Sequence, residues 1–116
     1  MQKNIYGKKG EIIVCNFLKK KKFKILQMNY KNKVGEIDIV AKQKDYIVFV
    51  EVKTRTSRAF GDPSEAVDEN KQFKIRQVAE LYLLEKKLTE KPCRFDVVAI
   101  LDNNEDTEIR HIEDAF

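Results

Sequence analysis

The stretch from Val34 to Lys53 constrains this chain more than any other. Val34-Gly35-Glu36-Ile37-Asp38-Ile39-Val40-Ala41 and Tyr46-Ile47-Val48-Phe49-Val50-Glu51-Val52-Lys53 are both rich in β-branched and apolar residues. The polar Lys42-Gln43-Lys44-Asp45 lies between them, so the pair predicts a β-hairpin. Glu36, Asp38, Glu51 and Lys53 interrupt these apolar strands. A buried charge is tolerated only when paired or bound to a metal. Side chains alternate faces along a strand. If Ile37, Ile39 and Ala41 share a face with Val48, Val50 and Val52, then Asp38, Glu51 and Lys53 meet on the other. That arrangement requires opposed residue numbers to sum to an odd number, which a two- or four-residue turn within Lys42–Asp45 gives, or a bulge that repairs the parity. Carboxylates and an ammonium gathered on an apolar sheet describe a site rather than a core. Glu36 shares the Asp38 face on ideal alternation. It reads as a spare ligand, as a partner for Lys53 or Lys33, or as an exposed strand start.

The 116 residues predict a single domain spanning 1–116, with room for one core. No apolar run reaches membrane-spanning length, and the basic N-terminus lacks the apolar region of a signal peptide. Cys15, Cys93 and a single histidine, His111, leave almost no material for a zinc centre or a histidine-based triad. A reduced, cytoplasmic protein is the expectation. Charge is segregated along the chain. Residues 1–33, Lys8 and Lys9 among them, carry ten lysines against one acid, Glu11, whereas the remainder carries 13 bases against 18 acids. A one-sided basic segment is the footprint expected for a polyanion partner. Lysines coating a solvated helix are the plainer alternative.

In chain order, Asn4 can cap a helix from about Ile5 to Lys22, with Ile12, Val14, Cys15, Phe17 and Leu18 as its apolar stripe. Lys19 to Lys22 suit the negative end of its dipole. Glu11, one turn inside, reads as a surface partner for Lys8 or as an acid favoured near a helix N-terminus. Phe23 to Met28 predicts a strand with Phe23, Ile25 and Leu26 making apolar contacts, and Asn29 to Lys33 a turn. After the hairpin, Thr54 to Gly61 reads as a loop whose hydroxyls and guanidiniums, Arg55 and Arg58, suit phosphate contacts. A helix begins near Ser64, with a fresh cap at Asp68, and ends before Pro92. Ile75, Val78, Ala79, Tyr82 and Leu83 form its inward stripe, which makes Tyr82 a core residue. Lys71 and Lys74 in its early turns face either the charged edge of the hairpin or solvent. Arg94 to Leu101 predicts a buried strand, Asp102 to Asp106 an acidic turn, and Glu108 to Ile112 a last strand. Asp96 either backs the site or is a strand-edge charge.

An Asp followed thirteen residues later by Glu-x-Lys, here Asp38 and Glu51-Val52-Lys53, resembles the signature of the PD-(D/E)xK nucleases. A wider ordered set runs through Gly10-Glu11, Asn29, Gly35-Glu36-Ile37-Asp38 and Val48 to Arg55. It continues through Phe60-Gly61, Pro63, Glu65-Ala66-Val67, Lys71 and Arg94-Phe95-Asp96-Val97-Val98. This set resembles the YraN-type family of small bacterial proteins, described as candidate endonucleases distantly similar to archaeal Holliday-junction resolvases. The family usually has glycine where this chain has Lys22. The resemblance implies an α/β protein with a restriction-endonuclease-like mixed β-sheet flanked by helices, in the order helix–strand–strand–strand–helix–strand–strand. It implies Glu11, Asp38, Glu51 and Lys53 as catalytic residues, with Asp38, Glu51 and the Val52 backbone carbonyl as ligands of Mg²⁺, or Mn²⁺ in its place. Glu11 would complete a second, weaker metal position or hold a metal-bound water. Lys53 would orient or deprotonate the attacking water and offset transition-state charge. Two carboxylates around Lys53 would raise its pKa, favouring the electrostatic role.

Lys8, Lys9, Arg55, Arg58 and Lys71 are the candidate nucleic-acid contacts, with DNA the expected partner and no membrane. Three functions stand open. The first is a metal-dependent endonuclease hydrolysing phosphodiester bonds in structured or branched DNA. The second is a nucleic-acid-binding module with little turnover. The third is a scaffold subunit of a DNA-processing complex, beside a helicase or similar protein. A homodimer would give the two sites that symmetric cutting of a junction needs.

Overall fold

A computed structural model describes residues 8–55, 67–103 and 106–116, apart from the side chains of Lys8 and Asn103. The elements are α1 (Lys8–Lys20), β1 (Lys24–Lys31), β2 (Glu36–Gln43), β3 (Tyr46–Arg55), α2 (Glu69–Glu85), β4 (Cys93–Asn103) and β5 (Asp106–Ile112). The five strands form one mixed sheet in sequence order. Only β3 and β4 are parallel, and α2 lies in the crossover between them. β3 and β4 have both faces covered, which is why their apolar runs are nearly continuous. On one face Val14 and Leu18 of α1 pack on Ile39, Ala41, Val48, Val50, Val98 and Ile100. On the other, Ile75, Val78, Ala79 and Tyr82 of α2 pack on Tyr30, Ile37, Val40, Phe49, Phe95 and Val97. The architecture is a mixed α/β sheet flanked by helices, in the expected order.

The hairpin has the required parity, Ile39 opposing Val50 and Gln43 opposing Tyr46 around the two-residue turn Lys44-Asp45. Ideal alternation fails at one place. Ile37 is buried under α2, whereas Ile39 is buried under α1. Its partner strand twists at the same level. Asn29 is left-handed at φ 54°. Met28 accordingly meets Cys15 of α1, while Tyr30 turns to the α2 side and donates to Glu85 Oε1 at 2.9 Å. Asn29 to Lys31, expected as a turn, therefore continues β1. A register shift between Ile25 and Gln27 leaves Leu26 outward, 37% exposed, contrary to its expected core role.

Further boundaries move. Asn4 and Ile5 lie outside the described residues, as do Arg58, Phe60-Gly61, Pro63 and Ser64. Ile12 is exposed and Ile13 packs against the core in its place, while Phe17 packs there as expected. Thr54 and Arg55 belong to β3 rather than to a loop, and Asp102 belongs to β4. The fresh cap at Asp68 is present, its side chain accepting from the Lys71 N–H at 2.8 Å. Asp96 is fully buried away from the hairpin site. It accepts from Arg94, from His111 Nε2 at 2.7 Å and from the Asp114 N–H at 3.0 Å. It is neither a strand-edge charge nor a support for the site but the hub that ties β4 to β5 and the C-terminal turn. Among the described residues, no helix is long and apolar enough to cross a membrane.

Candidate active site

The hairpin ladder stops at the Ile39–Val50 pair, and beyond it β2 and β3 part. Asp38 stands at the opening. Its Oδ2 accepts the Val52 N–H at 2.8 Å, taking the place of a ladder carbonyl. The N–H and C=O of one residue in an extended strand point to the same edge, so the Val52 carbonyl is aimed at the same gap. Here lies a cleft of about 320 Å³ lined by Glu11, Asp38, Glu51, Val52, Lys53, Thr54, Arg55 and Lys71. Apart from Val52, the lining side chains are polar or charged. The sheet supplies Asp38, Glu51 and Lys53, α1 supplies Glu11 and α2 supplies Lys71.

The electrostatics follow from burial. Glu51 is only 7% exposed, and its Oε2 lies 2.9 Å from Lys71 Nζ. Burial first, then the charge of Glu51, pushes the Asp38 carboxyl up to about 7, although the Val52 N–H pulls the other way. Lys53 is pushed down to about 8, by burial and by the neighbouring Lys71 ammonium. This reverses the expectation of a Lys53 raised by two carboxylates. Lys71 shares Glu51, and its own positive charge acts on Lys53. Burial lowers the Lys71 pKa, but hydrogen bonding to Lys53 and Glu51 outweighs it and leaves the group raised.

A profile of the uncharacterised protein family UPF0102 matches residues 10–100. The chain belongs to this family. Relatives carry the same designation. A UPF0102 protein of Alkaliphilus oremlandii is 48% identical over 118 residues, covering all of both chains. One of Caldanaerobacter subterraneus subsp. tengcongensis is 45% identical, covering 100% of this chain and 98% of its own. One of Dictyoglomus thermophilum is 48% identical over 82% of this chain and 80% of its own. The span matched to UPF0102 opens one residue before Glu11 and contains every residue that lines the cleft.

The candidate residues of this UPF0102 chain divide clearly. Glu11, Asp38, Glu51, Val52, Lys53, Arg55 and Lys71 come together in the cleft. Glu36 is exposed at the start of β2 and does not line it. Lys9 is exposed on α1, outside the lining. Arg58 and the Lys8 side chain fall outside the described residues. Thr54, read only as a phosphate-contacting loop residue, is part of the wall, and the odd-numbered parity of Glu51 and Lys53 does not reveal it.

The donor set decides which cation would suit this place. All candidate donors are hard oxygens, from carboxylates and one peptide carbonyl, which fits Mg²⁺ or Mn²⁺ rather than a thiophilic metal. Among the described residues, no three His, Cys, Asp or Glu side chains cluster closely enough to hold an ion by themselves. Asp38, Glu51 and the Val52 carbonyl are the donors that such an ion would meet in the cleft. Mg²⁺ typically completes such a set with waters.

Proposed function

We propose that this UPF0102 chain is a metal-dependent endonuclease of the PD-(D/E)xK type, hydrolysing phosphodiester bonds in structured or branched DNA on a restriction-endonuclease-like scaffold. One observation carries the reading. Asp38, Glu51, the Val52 peptide and Lys53 converge in one polar cleft where the hairpin opens, with Glu11 delivered to it from a helix. Asp38, Glu51 and the Val52 carbonyl would hold Mg²⁺ or Mn²⁺. The bound ion would supply Lewis acidity at the phosphoryl oxygen and lower the pKa of a water. Lys53, held near 8, can take a proton from the attacking water at mildly alkaline pH and otherwise counter the charge that develops on the phosphoryl group. Glu11 lies where it can hold a water against the carboxylate pair. Arg55 and Thr54 border the cleft and suit contacts with the phosphates flanking the scissile bond.

The test is a cleavage panel over branched, duplex and single-stranded DNA with Mg²⁺ or Mn²⁺, and Asp38→Ala as control. Metal-dependent cutting that Asp38→Ala abolishes supports the nuclease. Salt-dependent binding with no metal-dependent cutting replaces it with the binding module. Failure to bind any nucleic acid alone, together with co-purification of a helicase or similar protein, replaces both with the scaffold subunit.

A further inference from the structure

We propose that Lys71 is the resident counter-ion of the cation site, so that a divalent metal binds only by evicting its ammonium from Glu51. The inference rests on the metal-site reading above and concerns how that site is loaded. Lys71 Nζ lies 2.9 Å from Oε2 of Glu51, one of the two carboxylates on which metal binding depends. The partners are unequally held. The Glu51 side chain is 8% exposed and the Lys71 side chain 44%. The carboxylate is thus fixed in the cleft, while the ammonium ends a flexible stem with a path to solvent. The Lys71 backbone is anchored separately by its hydrogen bond to the Asp68 cap. The side chain can swing out without unwinding α2.

Charge balance gives the reason to move. Glu11, Asp38 and Glu51 share the cleft with three cationic side chains, Lys53, Arg55 and Lys71. A dication added to that set leaves an excess of positive charge in a half-buried space, where repulsion at contact distance is strong. Lys53 sits on β3, two residues from Glu51, whereas Lys71 is carried on a separate helix. Lys71 is the ammonium that yields. Metal loading is consequently weak in the resting protein, and strengthens whenever the Lys71 charge is removed or drawn elsewhere.

The experiment is Mn²⁺ binding without nucleic acid, followed by the electron paramagnetic resonance signal of free Mn²⁺. Lys71→Met keeps the stem and removes the charge, and Lys71→Arg keeps the charge. The Met variant is expected to bind Mn²⁺ roughly tenfold or more tightly than wild type, with the Arg variant close to wild type. Acylation of the Lys71 amine, read by peptide mass in the wild type, is expected to accelerate on adding Mg²⁺. A Met variant that binds Mn²⁺ no more tightly than wild type overturns the counter-ion role and leaves the metal site standing. Absence of Mn²⁺ binding in both wild type and Met variant sinks the metal-site reading and this inference together.

Discussion

In the proposed nuclease Asp38 would carry two competing demands, because the position that would let it receive a metal also buries it beside Glu51. Its folded-state pKa, about 7, lies above the ordinary value of 3.8. The metal-free folded protein thus retains a proton that the unfolded chain releases. Stability from this group is present in full below pH 3.8 and is lost as pH rises through about 7. In chelator, the slope should reach at most about 1.4 kcal/mol per pH unit across that window. Asp38→Asn should flatten it and leave the metal-free protein at least as stable as wild type near neutrality. Mn²⁺ should raise the wild-type melting temperature, by a stabilisation of about 2.7 kcal/mol at a hundredfold excess over Kd, and leave Asp38→Asn unmoved. A destabilised Asn variant with no metal response in either protein would make Asp38 structural and remove the basis of the nuclease reading. Lys53 bears on chemistry rather than stability. Lys53→Ala should lower cleavage by roughly two to four orders of magnitude while metal and DNA still bind. Arg there should rescue only in part, since it keeps the charge but is not deprotonated. Wild-type turnover in the alanine variant would reduce Lys53 to an ion-pair partner.

Both helices end on a lysine in the left-handed region, Lys22 at φ 75° and Lys87 at φ 58°. The hydrogen bonds explain why the chain accepts this. Phe23 N–H donates to Leu18 O and Lys22 N–H to Lys19 O, while Leu88 N–H donates to Leu83 O and Lys87 N–H to Leu84 O. Each end is a Schellman turn, which satisfies helix carbonyls at the cost of a conformation that favours glycine. Lys22→Gly should relieve a strain of about 1 kcal/mol, partly offset by glycine's greater freedom in the unfolded chain. A higher urea midpoint with unchanged slope would register it, and a lower midpoint would show that the Lys22 side chain contributes more than the backbone strain removes. The same turns mark what could be read from the chain and what could not. The hairpin, its odd parity and the Asp38–Glu51–Lys53 convergence follow from local periodicity, and the Asp68 cap from local hydrogen-bonding chemistry. The bulge beside Leu26 and the swing of Ile37 to the α2 side arise where β1 pairs with β2, a tertiary event with no local signature, whereas Asn29 is of a residue type that takes the left-handed region readily. The Glu51–Lys71 pair joins β3 to α2 across twenty residues, and local patterning leaves Lys71 undecided between the hairpin and solvent.

At the scale of the molecule, charge and site lie along one line. Glu11, near the start of α1, reaches the cleft, while Lys19, Lys20 and Lys22 gather at the far end of the helix, roughly 13 Å away at 1.5 Å per residue. A polyanion that enters the cleft and follows α1 would meet these lysines. Lys21 differs from its neighbours. Its Nζ lies 2.6 Å from His111 Nδ1 and 4.0 Å from Glu113, so it helps hold the C-terminal strand and should be left intact. Replacing Lys19, Lys20 and Lys22 by glutamine should weaken DNA binding to a similar extent for every sequence. The slope of log K against log salt should fall by about 0.9 for each duplex phosphate that the variant no longer neutralises. The rise in melting temperature with Mn²⁺ should persist in that variant, because the carboxylate pair lies at the other end of α1. An unchanged salt slope would mean that these lysines only solvate the helix, and that the DNA affinity of the protein resides in the cleft and its rim.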